Sequence, residues 1–117
     1  MATATDSILG SIKKLLGLAE DYTEFDRDII IHINSVFSVL QQLGVGPEEG
    51  FSIEDDTSIW SDFTDNNSEI KNVVTYMYLN VRLLFDPPTN STILKSYQDT
   101  IKEYEWRLNV AVDTGEK

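Results

Sequence analysis

The stretch RLLFDPPTNS, residues 82–91, constrains this chain more than any other. A long helix-compatible run meets Pro87 and Pro88, and neither proline can donate a backbone hydrogen bond. Pro87 also biases Asp86 away from helical backbone angles. Thr89, Asn90 and Ser91 follow, and each carries a side-chain oxygen suited to an N-cap. One helix must stop and another must start within a few residues. Asp86, Pro87 and Pro88 are therefore predicted to form a structural corner between two helices.

Hydrophobic spacing places the other elements. Ile8, Ile12, Leu15 and Leu16 share a face of a helix predicted over about 6–16, with Thr5 or Asp6 as its cap and Gly17 as its left-handed exit. Gly10 weakens that helix somewhat. A second helix is predicted over about 24–43, opened by a capping-box-like pair of Thr23 and Asp26 and closed by Gly44. Its stripe is Phe25, Ile29, Ile33, Val36, Phe37, Leu40 and Leu43, and at 1.5 Å per residue it spans ~30 Å. A third helix is predicted over about 68–85, with Asn66 and Glu69 as a capping pair. Its main stripe is Ile70, Val73, Val74, Met77, Val81, Leu84 and Phe85, and Tyr76, Leu79 and Leu83 form a second stripe ~140° away. A helix apolar nearly all round is buried on several sides, so it is either central or an interface helix. The fourth helix is predicted over about 91–109, with Leu94, Tyr97, Ile101, Tyr104 and Leu108 facing inward. Residues 110–117 read as a loose polar tail.

Between the second and third helices lies GVGPEEGFSIEDDTSIWSDFTDNN. Stretches this long without structure are uncommon inside a domain, and Phe51, Ile53, Ile59, Trp60 and Phe63 are not ordinary loop residues. FSI is read as a short extended segment and SIWSDF as one or two helical turns. The expected fold class is all-α: a small bundle of four main helices with a long, partly ordered loop between helices 2 and 3, forming one domain over 1–117. The 117 residues, 41% hydrophobic, suffice for a core without covalent staples.

Composition narrows function mostly by exclusion. There is no cysteine, which removes thiolate chemistry and cysteine–zinc sites. A net charge of −11 with scattered Lys and Arg disfavours direct binding to nucleic-acid phosphates. The N-terminus lacks the shape of a signal peptide and no segment has the length of a membrane span, so an intracellular, soluble protein without membrane contact is expected. His32 is the sole histidine, with Asp28 one turn earlier, and a lone imidazole on a helix is read as structural. LGVGPEEG lacks the Lys-Ser/Thr of a phosphate loop, and EDD at 54–56 lacks the ligand pattern of a calcium loop. No enzyme, metal or cofactor is expected.

Apolar residues out of place say more. Trp106 falls on the wheel face of Lys95, Asp99 and Lys102, opposite the inward stripe, with Arg107 beside it. Tryptophan and arginine are favoured binding anchors, yet Trp106 could equally pack beneath the long loop or the first helix. Ile31 points away from the stripe of the second helix. Together with Tyr76 and Leu83 of the second stripe, and Phe51 and Trp60 of the loop, these residues exceed what one small bundle needs. They are the candidate partner or self-association surface.

LGLAEDYTEFDRDIIIHINSVFSVLQQLGVGP, the GF of 50–51, Trp60, VVTYMYLNVRLLFDPP and IKEYEWRLNV together resemble the head-tail connector proteins of long-tailed bacteriophages, also called head-completion or adaptor proteins. The resemblance covers about residues 7–110, and LFDPP and EWRLNV are its most specific parts. It implies a small α-helical, non-enzymatic subunit forming a ring beneath the capsid portal. That ring extends the DNA channel and offers a docking surface to the next neck or tail component. The implied partners are the portal protein, a downstream neck or tail component and other copies of the chain, in a ring matching the portal's symmetry even where the free subunit is a monomer. DNA would only pass through the channel. The implied location is the virion neck, with the host cytoplasm during assembly. The segment matching the family's portal-docking end is 101–117, with Trp106 and Arg107; 45–66 matches a region of subunit or downstream contacts. The alternative reading of the acidity is a small protein-binding regulator or DNA mimic, although the carboxylates are spread over several faces rather than set at phosphate-like spacing.

Overall fold

The structure is a computed structural model and describes residues 3–113. Five helices follow in order: α1 (Ile8–Leu15), α2 (Asp26–Gln42), α3 (Trp60–Phe63), α4 (Asn67–Phe85) and α5 (Ser91–Asp113). No strand forms among the described residues; there is a single antiparallel bridge between Ser7 and Ile59. The fold is all-α. The expected helix over 91–109 continues to Asp113, and residues 114–117 of the expected tail lie outside the described residues.

Helix α4 is the centre. It packs against α2 on one side and α5 on another, while α1 lies against both α2 and α4. The rings of Phe25 and Phe85 meet edge to face at 5.3 Å, which puts the start of α2 beside the end of α4, so the two run antiparallel. The stripe of Ile29, Ile33, Val36, Phe37 and Leu40 meets Ile70, Val73, Val74, Met77 and Val81, all buried. The second stripe of α4 is not a free surface: Tyr76 and Leu79 are buried as well, under α5. The Tyr76 hydroxyl donates to Glu105 Oε2 at 2.8 Å. Burial and that neighbouring carboxylate both push the phenol's pKa up, burial the more strongly.

The corner does what its residues dictate. Asp86 closes α4 by donating its amide to the Arg82 carbonyl at 2.9 Å. Asn90 Oδ1 then accepts from the amides of Thr92 (2.8 Å) and Ile93 (3.1 Å) and opens α5. The chain turns back on itself, so α5 runs down α4 instead of projecting away from it.

Two predicted caps are replaced. Ser7, not Thr5 or Asp6, caps α1, its hydroxyl accepting from Gly10 N at 3.0 Å. At α2 the Thr23–Asp26 box does not form; the helix starts at Asp26 without a side-chain cap. The Asp26 carboxylate is engaged elsewhere: its Oδ1 lies 2.9 Å from Lys13 Nζ. That lysine, which looked like one of several scattered surface cations, is only 2% exposed and also donates to the Glu20 carbonyl at 3.0 Å. A buried ammonium needs such partners, and here it ties α1 to the start of α2.

The long loop is fastened along most of its length. Asn34 on α2 grips Ile53 from both sides, accepting from its amide at 2.8 Å and donating to its carbonyl at 3.0 Å. The rings of Phe37, Phe51 and Phe63 form a mutual cluster with centroids 4.9–5.5 Å apart. Residues Ala4 to Ile8 cross residues Ser58 to Ser61 through three backbone hydrogen bonds. Gly46, at φ +88°, lies so close to the Phe63 ring that a Cβ there would clash with it, so this turn requires glycine for both backbone and space. FSI forms no strand; Ile53 is held by the Asn34 side chain instead.

Candidate docking surfaces

The residues proposed from sequence as interface anchors separate into three groups. Trp60 and Tyr76 are corrections: both are core side chains. Trp60 is fully enclosed, with its indole N–H donated to Ser11 Oγ at 3.1 Å. It sits under the crossing of the N-terminal segment over the loop, a long-range contact that helical spacing cannot reveal. Tyr76 is covered because α5 folds back. Phe51 and Leu83 are half-buried and pack against the core. Phe51 completes the aromatic cluster, and little of either side chain remains for a partner.

Trp106 and Ile31 are different. Trp106 is 67% exposed and Ile31 58%. On α5, Ile101 and Leu108 face the core. Trp106 lies two residues before Leu108, ~200° round the helix, so its exposure follows from the buried stripe. Its surroundings are charged and internally paired. Lys95 Nζ is 3.1 Å from Asp99 Oδ2, and Arg107 Nη2 is 2.7 Å from Glu103 Oε1, each one turn apart. The Arg107 guanidinium also stands over the Tyr104 ring, 5.4 Å from its centroid. Local pairs of this kind hold the side chains in place but add little stability. Trp106 is thus a large apolar side chain in water with an ordered basic neighbour.

Other exposed apolar residues escaped the sequence reading. Leu84, assigned to the main stripe of α4, is 55% exposed. It belongs to the last turn, where α2 has only just begun and cannot cover it. Leu15 and Ile93 are exposed too, and Tyr22, Phe25 and Phe85 form a half-open aromatic run at the same end as Leu84. Periodicity assigns a face to such residues but cannot tell where the neighbouring helix ends.

Among the described residues, no three His, Asp or Glu side chains converge as metal ligands. A cavity of about 390 Å³ beside α1 is lined by Ser7, Gly10, Ser11, Lys14, Glu20 and Val74, among others. Its lining includes Asp6 and Leu15 as well, and no histidine. Among the described residues no helix is long and apolar enough to cross a membrane.

Comparison with known proteins then adds what geometry cannot. No curated protein and no solved structure matched the chain. The family model described as phage connector protein matched residues 8–115, a span that takes in all five described helices. By this match, which covers nearly the whole chain, the chain belongs to the phage connector protein family.

Proposed function

We propose that this chain is the adaptor subunit that assembles as a ring beneath the capsid portal, extends the DNA channel and presents a surface to the next neck or tail component. The observation that carries the reading is Trp106: an indole 67% exposed on the outer face of the last helix, within the segment that the family resemblance assigns to portal docking. A side chain of that size left in water is a typical binding anchor, and Arg107 beside it can reach a carboxylate or backbone carbonyl of the partner. The net charge of −11 supports a channel lining that does not hold DNA phosphates.

The test is to mix the purified protein with its cognate portal under assembly conditions and image the product. A ring added on the portal axis is expected. Failure to bind would overturn the adaptor reading. Trp106→Ala should lower portal affinity by on the order of 10- to 100-fold while leaving the thermal midpoint of the free protein nearly unchanged. Docking through apolar contact should also persist in salt that screens surface ion pairs.

A further inference from the structure

From Ile29 to Pro47 the chain contains no Asp, Glu, Lys or Arg, the longest such stretch in a sequence of net charge −11. Part of it has an internal explanation, since Ile29, Ile33, Val36, Phe37 and Leu40 are core. The remainder does not. Ile31, Ser35, Ser38, Val39 and Gln42 are exposed on the outward face of α2. A solvated helix face ordinarily carries charge, as α5 does with Lys95, Asp99, Lys102 and Glu103. On α2 the same kind of face is neutral from Ile31 to Gln42, beyond the oppositely charged neighbours Arg27 and Asp28 of the first turn, with Ile31 standing out beside small serines that leave room for a neighbouring element to approach.

Charge says what could cover it. A foreign partner can meet an acidic face with basic residues, so it has no need of a neutral one. Another copy of the same chain brings the same −11, and like charges facing each other across a contact oppose binding. Identical copies therefore pack more readily where at least one side of the contact brings no net charge. The face also lies on a different helix from the Trp106 anchor, and α2 and α5 each pack on α4 rather than mainly on one another. We propose that the outward face of α2, centred on Ile31 and Ser38, is the surface through which one copy of this chain contacts the next. This rests on the ring reading above and names the self-contact that such a ring needs. In a closed ring the face would meet a different surface of the neighbouring copy.

Because the chain has no cysteine, Ser38→Cys reports on this face alone. Its alkylation rate can be followed by mass spectrometry in the free protein, in sparsely loaded portal complexes and in fully loaded ones. The expected result is a slowing of at least about tenfold in the full complex and little slowing in the sparse one. The double variant I31D/S38D, whose changes both lie on the surface, should keep the wild-type circular dichroism and melting curve. It should still bind the portal as isolated copies but fail to fill the ring. Three results would overturn the proposal: unchanged reactivity in the full complex, a double variant that fills the ring as the wild type does, or protection already complete in sparse complexes, which would give the face to the portal. If no portal complex forms, the ring reading fails separately and the free protein decides. Protection of the free S38C thiol that grows with protein concentration would uphold the α2 contact; a rate that stays flat to millimolar concentration would sink it.

Discussion

Helices α4 and α5 are joined by one corner and lie side by side, yet they relate to the molecule in opposite ways. In α4, Ile70, Val73, Val74, Tyr76, Met77, Leu79 and Val81 are all buried, and these residues cover much of the helix circumference. Among the α5 residues whose burial is described, Ile101 and Leu108 are buried, one narrow stripe, with paired charges and Trp106 on the far side. The difference teaches how to read surplus apolar surface. A second apolar stripe on α4 suggests self-association when the helix is considered alone, but the neighbouring helix of the same chain consumes it. An isolated apolar residue among charges, such as Trp106, is consumed by nothing within the described residues.

The contrast can be broken most directly with Val81→Asp. Val81 is fully buried, and an unpaired carboxylate there should cost at least about 4 kcal/mol, enough to abolish a cooperative melt by circular dichroism. A cooperative transition near the wild-type midpoint would show that α4 is not the centre of the fold. Next in size is Ile101→Ala on the inward stripe of α5, expected to cost about 2–4 kcal/mol in urea unfolding. A loss below about 1 kcal/mol would mean that α5 is only loosely seated.

Tyr76→Phe probes the join itself. Removing a hydrogen bond to a carboxylate should cost about 1.5–3 kcal/mol, and it should also change the alkaline limb of stability. The folded protein holds the Tyr76 phenol protonated above its ordinary value of 10.0, through burial first and Glu105 second. Above that pH the unfolded chain loses the proton before the folded one does. The contribution is therefore complete below about pH 10 and is lost progressively as pH rises beyond it. The Phe variant should show a shallower decline over that range, and an unaltered slope would mean that Tyr76 is not enclosed by α5. The smallest effect is predicted for Trp106→Ala on the free protein, within about 0.5 kcal/mol. A larger loss would assign Trp106 a packing role and remove it as an anchor.

Much of the fold was legible because helices are local objects. The prolines at 87 and 88, the asparagine caps at 66 and 90, and the spacing of Ile29 to Leu40 specify element type through backbone sterics and period alone. The exposure of Trp106 was half legible: its position opposite the inward stripe was clear, but whether another segment lay over it was not. Trp60 illustrates the limit. Its burial depends on Ala4 to Ile8 crossing Ser58 to Ser61, a contact between segments some fifty residues apart in sequence that no short-range pattern encodes. Lys13 is similar, since a lysine in the last turn of a helix normally reaches water, and only the approach of Asp26 and Glu20 lets it be buried.

By itself, then, the sequence determined where helices stop and start, which stripe of each one is apolar, and the absence of cysteine chemistry, because those follow from backbone geometry, side-chain period and composition. Tertiary structure alone decided which apolar surplus is spent internally. Tyr76 and Trp60 were taken into the core by segments remote in sequence, while Trp106 and Ile31 were left in water. Exposure is a property of what lies opposite a side chain, and what lies opposite is set by how α2, α4 and α5 pack.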